Sequence, residues 1–180
     1  MKKKPLIALI GLLALLFTLW EGWEIAHGLQ GPHTPEADVH LRELTLPDLK
    51  QHPQSLRQWD GRVLVVNFWA TWCEPCKEEI PLLNHVQQDL GEQQVQFVGI
   101  GVDEPAALLD FVQHQPFSYP VLSGSDQTLA LTRSLGNSQQ GIPFTVVFDP
   151  RGRAVLQKLG RVEERELRQA IALALRESAP

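Results

Sequence analysis

Cysteine is scarce in this 180-residue chain: Cys73 and Cys76 are the only two. Their scarcity rules out a framework of long-range disulfides and leaves three readings of the pair, namely a redox couple, a local staple or half of a metal site. An excess of basic residues is also missing. The formal charge is −5 for the whole chain and −6 for residues 25–180 once Lys2, Lys3, Lys4, Glu21 and Glu24 are set aside, so nothing supports binding to nucleic acid. Internal repeats and low-complexity stretches are absent. With 43% apolar and 21% charged residues, the composition is that of one globular domain plus an appendage.

The appendage is at the front, where charge is missing altogether from Pro5 to Trp20. As a helix this run would rise roughly 24 Å, a little short of the roughly 30 Å hydrocarbon core, with Trp20 and Trp23 near the interface. A cleaved signal peptide has the same basic and apolar opening, and Ala26-His27-Gly28 is a poor cleavage site. We therefore expect residues 1–23 to be a membrane anchor, with a cleaved signal peptide as the alternative, residues 24–38 a tether punctuated by Gly28, Gly31, Pro32 and Pro35, and residues 39–180 an exported domain.

Within that domain Leu41, Leu44 and Leu46 before Pro47-Asp48 predict a short strand or hairpin at a sheet edge. Ser55 to Trp59 predicts at most one helical turn. Arg62 to Trp69 is too continuously apolar for a half-exposed strand and should be central, covered on both faces. Ile80, Leu83, Val86 and Leu90 recur at helical spacing, which predicts a helix from Glu74 to Asp89, kinked at Pro81. Val95 to Ile100 is a second buried strand, Pro105 opens a helix to His114, Pro120 to Leu122 is a short strand and Asp126 to Leu135 a helix. Phe144 to Phe148 should turn through Asp149-Pro150-Arg151-Gly152 into Arg153 to Lys158, before a last helix from Glu163 to Arg176. Strands alternating with helices and closing on a hairpin and helix give an α/β sandwich with a mixed sheet.

Cys73-Glu74-Pro75-Cys76 sits at the head of the first long helix. There Cys73 meets unpaired backbone donors and the positive end of the helix dipole, both of which favour the reactive thiolate. Cys76, one turn on, can close a disulfide or resolve a mixed one. Pro75 suits a first turn that needs no donor from it. A staple closing so short a loop would constrain the unfolded chain little. A zinc site usually needs four ligands; no second cysteine pair exists and His85 lies more than two turns away. The six histidines, His27, His33, His40, His52, His85 and His114, look like surface or tether residues.

The run from Val66 to Pro81, VNFWATWCEPCKEEIP, closely resembles the active site of the membrane-anchored, thioredoxin-like thiol-disulfide oxidoreductases of the TlpA and ResA type. Gly141-Ile142-Pro143 before a strand matches a second landmark of that family. The resemblance covers about Leu41 to Leu175. It implies a thioredoxin-like fold: a mixed central sheet flanked by helices, with an extra strand-helix insertion and an N-terminal strand or hairpin extension. It further implies catalysis by Cys73 and Cys76 through a redox-active Cys73–Cys76 disulfide, with no cofactor and no metal. Trp72, Glu74, Pro75, Ile142 and a cis Pro143 would form the substrate-binding surface. Partners would be protein thiols and disulfides, with electrons from a membrane thiol reductase. In relatives the substrates include apocytochrome c heme-binding cysteines and copper-site cysteines of oxidase assembly. The implied location is the bacterial inner membrane, single-pass, with the catalytic domain in the periplasm or outside.

Two departures from that pattern matter. Asn67 stands where plain thioredoxins bury an aspartate, and Glu79, on the helical face of Cys76, looks like the glutamate that moves protons in the ResA-type proteins. Phe144 replaces a threonine, and a polar loop, Leu135 to Gln140, precedes Ile142; both are expected to border the substrate groove. Glu74, between the cysteines, should oppose the Cys73 thiolate and favour a reducing dithiol. A thioredoxin-fold module that captures metal or an apoprotein without turnover is the competing expectation.

Overall fold

The computed structural model describes residues 40–176. The expected anchor and tether, residues 1–23 and 24–38, lie outside these residues, and among the described ones no helix is long and apolar enough to cross a membrane. The organising element is β3 (Val63–Trp69), buried at every position. It pairs in parallel with β4 (Val95–Gly101) and antiparallel with β6 (Phe144–Phe148), so its unbroken apolar run reflects cover on both faces. A parallel β5 (Val121–Ser123) and an antiparallel β7 (Ala154–Leu159) complete a five-stranded mixed sheet in the order β5-β4-β3-β6-β7.

Strand alternation sends Leu64, Val66 and Phe68 to one face, where they pack with Val98, Ile100, Leu122, Val146 and Phe148 under Leu41 and Leu56. Val63 and Val65 point to the other face. There they meet Leu83 and Val86 of α1 (Glu74–Leu90) and Leu167, Ile171 and Ala174 of α4 (Glu164–Arg176). The α4 residues are spaced i, i+4, i+7, one buried apolar stripe on a helix whose first turns carry Glu164, Arg165, Glu166 and Arg168, and full burial of Leu167 or Ile171 contributes about 1.5–3 kcal/mol each. Trp69 heads a third cluster with Ile80, Val121 and Leu108 of α2 (Pro105–His114), and both cysteines close it. A side chain at position 101 would collide with Leu108, its Cβ 2.9 Å from Cδ1 and nearer still to Cδ2, so glycine there lets α2 approach the sheet.

Two expectations change in detail. The N-terminal hairpin, β1 (Thr45–Pro47) and β2 (Pro53–Ser55), forms its own two-stranded sheet and touches the main sheet through one bridge, Asp48 to Leu122 at the β5 edge. The helix expected from Asp126 to Leu135 is α-helical only as α3 (Asp126–Ala130) and continues as a 3-10 helix to Leu135. Thr132 Oγ1 donates to the Leu129 carbonyl at 2.6 Å and Ser134 Oγ to that of Leu131 at 2.8 Å, side-chain bonds that compete with the α-helical ladder. Pro81 lies inside α1, which continues past it to Leu90. Proline cannot donate to the Lys77 carbonyl one turn back, and Gln115, capping α2, supplies the missing donor from Nε2 at 3.1 Å.

Candidate active site

The strand-to-helix turn that carries the dithiol is held from outside the motif. Asp103, in the loop after β4, accepts from the Thr71 backbone N–H at 3.3 Å and from the Thr71 hydroxyl, and Val102 N–H donates to the Trp69 carbonyl at 2.8 Å. Cys73 is the extended N-cap of α1, and its Sγ accepts from Cys76 N–H at 3.3 Å. The two sulfurs form a disulfide, with Cα atoms 5.3 Å apart. Cys73 is 5% and Cys76 1% exposed, whereas the neighbouring Trp72 is 69% exposed, an apolar surface beside a nearly buried disulfide.

Across the turn the Ile142–Pro143 peptide bond is cis. The loop that carries it is fixed on both sides. Asn137, fully buried, donates from Nδ2 to the Gly141 carbonyl at 2.9 Å and accepts from Gly141 N–H at 2.9 Å, and Gly160 N–H donates to the Pro143 carbonyl at 2.8 Å. Between these anchors the Ile142 backbone has no hydrogen-bond partner among the described residues. Ile142 packs partly buried against the cluster that contains both cysteines. Leu159, 45% exposed, covers Gly141, where an added Cβ would come 2.8 Å from Leu159 Cδ1.

Glu79 is 2% exposed, so it is not a solvated helix residue. Val162 N–H donates to Oε1 at 2.6 Å and Asn67 Nδ2 to Oε2 at 3.1 Å; the same Nδ2 reaches Thr145 Oγ1 at 3.0 Å. Burial pushes the Glu79 carboxyl above the ordinary glutamate value, against the Val162 and Asn67 hydrogen bonds and the charge of Arg161, which pull it down. Asn67 cannot carry a proton, yet it orients the group that can. Gly160, Arg161 and Val162 act as one strap: Gly160 on the proline carbonyl, Arg161 paired with Glu78 at 2.6 Å, and Val162 on Glu79.

Several expectations on individual residues are revised. Glu74 is exposed and paired with Lys77 at 2.5 Å, so its field at Cys73 is offset by a cation on the same turn. Phe144 does not border a groove. It is buried against Phe68, ring centroids 6.2 Å apart, as strand alternation requires for the partner of Phe68 in the β3–β6 register. The loop from Leu135 to Gln140 is not simply polar surface, since Leu135 and Asn137 are buried. Pro75 is exposed in the first turn of α1. His40, His52, His85 and His114 are exposed, and among the described residues no three His, Cys, Asp or Glu side chains gather as a metal site.

A mixed sheet that presents a CxxC disulfide at a helix N-terminus, facing a cis-proline loop, defines a thioredoxin-fold thiol-disulfide oxidoreductase. Residues 38–169 match the AhpC/TSA family, and the chain belongs to it. It is 27% identical over 178 residues to the thiol-disulfide oxidoreductase ResA of Bacillus thuringiensis strain Al Hakam, covering 93% of this chain and 95% of that protein. With ResA of Bacillus subtilis strain 168 it shares 27% identity over 164 residues, 88% of this chain and 84% of that one. Among solved structures it resembles a thioredoxin-related protein from Neisseria meningitidis serogroup B, with a TM-score of 0.64, 33% identity and coverage of 72% and 97%. It also resembles a thiol:disulfide interchange protein of the thioredoxin family from Chlorobium tepidum, with a TM-score of 0.66, 26% identity and coverage of 73% and 92%.

Sequence reasoning found the dithiol and the proline loop but missed Asp103, Gln115, Asn137 and Thr145. Of these only Gln115 had a signal, because a proline inside a helix frees a carbonyl that must find a donor.

Proposed function

We propose that this protein is an exported, membrane-anchored reductant of protein disulfides. The Cys73 thiolate attacks a substrate disulfide, forming a mixed disulfide and releasing one substrate thiolate. Cys76, its proton passed to Glu79, attacks the Cys73 sulfur, closes the Cys73–Cys76 disulfide and releases the second substrate thiol. Two electrons thereby reach the substrate, and a membrane thiol reductase restores the dithiol. The exposed face of Trp72 and the open Ile142 backbone receive the polypeptide, which pairs alongside Ile142 as an added strand. Cysteine pairs of apocytochrome c or of a copper site in oxidase assembly are the substrates this reading favours.

The observation that carries the reducing direction is the sparse stabilisation around Cys73. Its Sγ receives the Cys76 N–H, no side chain among the described residues donates to it, and the nearby Lys77 is taken up by Glu74. A thiolate with little support makes the dithiol the better electron donor. Equilibration with glutathione or dithiothreitol should give a potential below about −200 mV; a value near about −120 mV, that of a strong disulfide oxidant, would refute the reductant reading. Trapping with a Cys76→Ser variant should accumulate mixed disulfides through Cys73 in the membrane fraction. Recovery of the full-length protein from the soluble fraction alone would refute the anchor.

A further inference from the structure

The Asn137 side chain makes the two-bond pairing of one backbone amide with another, as if it were a short strand laid against Gly141. Nδ2 donates to the Gly141 carbonyl and Oδ1 accepts from its N–H, each at 2.9 Å, while Nδ2 also reaches Thr132 Oγ1 at 3.0 Å. The Asn137 backbone adds an N–H to the Thr132 carbonyl at 3.0 Å and accepts from Gln140 N–H at 3.0 Å, which closes residues 137–141 into a compact turn on the end of the 3-10 helix.

A carboxamide is suited to this task because it carries a donor and an acceptor side by side. Aspartate offers only acceptors, and serine has a single hydroxyl on a shorter stem. Asn137 is fully buried and Gly141 half-buried, so removing the carboxamide takes away both bonds that fix the Gly141 carbonyl and N–H at little compensation from solvent on the Asn137 side. Gly141 is one residue before Ile142, the backbone left open between the Asn137 pair and the Gly160 bond to Pro143.

We propose that Asn137 is a positioning residue for polypeptide substrates: it satisfies both backbone groups of Gly141, and so holds the Ile142 N–H and C=O free and aimed for strand pairing. The inference rests on the reading that Ile142 docks a polypeptide. A small disulfide reaches Cys73 without pairing to Ile142, so Asn137 sorts substrates by whether they bring a backbone. The dithiol chemistry is untouched, because the Asn137 hydrogen bonds go to Thr132, Gly141 and Gln140 and none to either sulfur.

The test compares insulin, a polypeptide disulfide, with 5,5′-dithiobis(2-nitrobenzoate), a small one, for the reduced full-length protein. In Asn137→Ala, KM for insulin should rise about fivefold to tenfold, the factor for one docking hydrogen bond misaligned, with the rate on the small disulfide within about twofold of wild type. Thr132→Val removes the third Asn137 bond and leaves the Gly141 pair; it should lower thermal stability without moving the insulin KM. Equal losses on both disulfides in Asn137→Ala, or a Thr132→Val profile that matches it, would show a merely structural role and overturn the proposal. Amide hydrogen exchange on the wild-type protein is independent of any variant's folding. Gly141 should be protected and Ile142 rapidly exchanging, with Ile142 becoming protected in a mixed disulfide between the Cys76→Ser variant and a cysteine peptide. Fast exchange at both positions, or an Ile142 amide unchanged by the peptide, would also overturn it. A wild-type protein active on the small disulfide but inactive on insulin would instead remove the docking reading itself, and the role of Asn137 with it.

Discussion

Asn67→Asp should turn a silent structural amide into a pH-sensitive fault. In the native protein Asn67 Nδ2 stands 3.1 Å from Glu79 Oε2, and an aspartate there would set two carboxylates against each other in a buried site. At about 3 Å and an effective dielectric of about 20, two unit charges repel by about 5 kcal/mol, equivalent to three to four pH units on the second ionisation. The lost amide donation adds about 1.5–3 kcal/mol against the charged form. Thr145 can adapt, since its hydroxyl can turn to donate to the new carboxylate. The pair's second proton is therefore held well above the ordinary carboxylate range in the folded protein but not in the unfolded chain. Stability is then fully present in acid and is lost as pH rises toward the raised folded value. Wild-type Glu79 is already raised by burial. The two stability curves should run parallel in acid and diverge above the pH where wild-type Glu79 ionises, by up to about 1.4 kcal/mol per pH unit. Urea unfolding of the oxidised proteins from pH 5 to 8 measures this. Adding Glu79→Gln to the variant should flatten its curve. A gap between Asn67→Asp and wild type that stays constant with pH would refute the network.

Other consequences follow from single contacts. Gln115→Ala should cost about 1 kcal/mol by leaving the Lys77 carbonyl without its donor, and the cost should shrink in a Pro81→Ala background, where residue 81 can donate to that carbonyl itself; additivity in the double-mutant cycle would contradict the assignment. Gly101→Ala should lower stability by about 1–3 kcal/mol in thermal unfolding, because its Cβ meets the buried Leu108 side chain; a neutral variant would mean that α2 shifts freely. Trp72→Ala should leave unfolding within about 0.5 kcal/mol of wild type, since the side chain is largely exposed, while slowing insulin reduction; a loss of stability with unchanged insulin reduction would deny the indole a docking role.

Much of the architecture was legible in local pattern. The unbroken apolar run of β3 required a covered central strand, and helical spacing with Pro75 and Gly91 at its ends required α1. The dithiol needed only its spacing and its place at a helix start, because thiolate stabilisation by a helix N-terminus is a local effect. The split of the helix after Ala130 was less legible, because it depends on whether Thr132 and Ser134 turn their hydroxyls onto their own backbone. Phe144 was misjudged from its neighbour in sequence. Next to Pro143 it looked like groove, yet strand alternation faces it inward beside Phe68.

The sequence by itself thus determined the fold class and the reacting pair, which depend on periodicity and on residues a few positions apart. Only the tertiary structure decided how that pair is served. Asn67 and Val162 converge on Glu79 from β3 and from the segment after β7, Thr145 of β6 meets the same Asn67 amide, and Gly160 reaches the Pro143 carbonyl. These hydrogen bonds act over about 3 Å between groups as many as 83 residues apart in the chain, and a distance of that kind exists only once the sheet has closed.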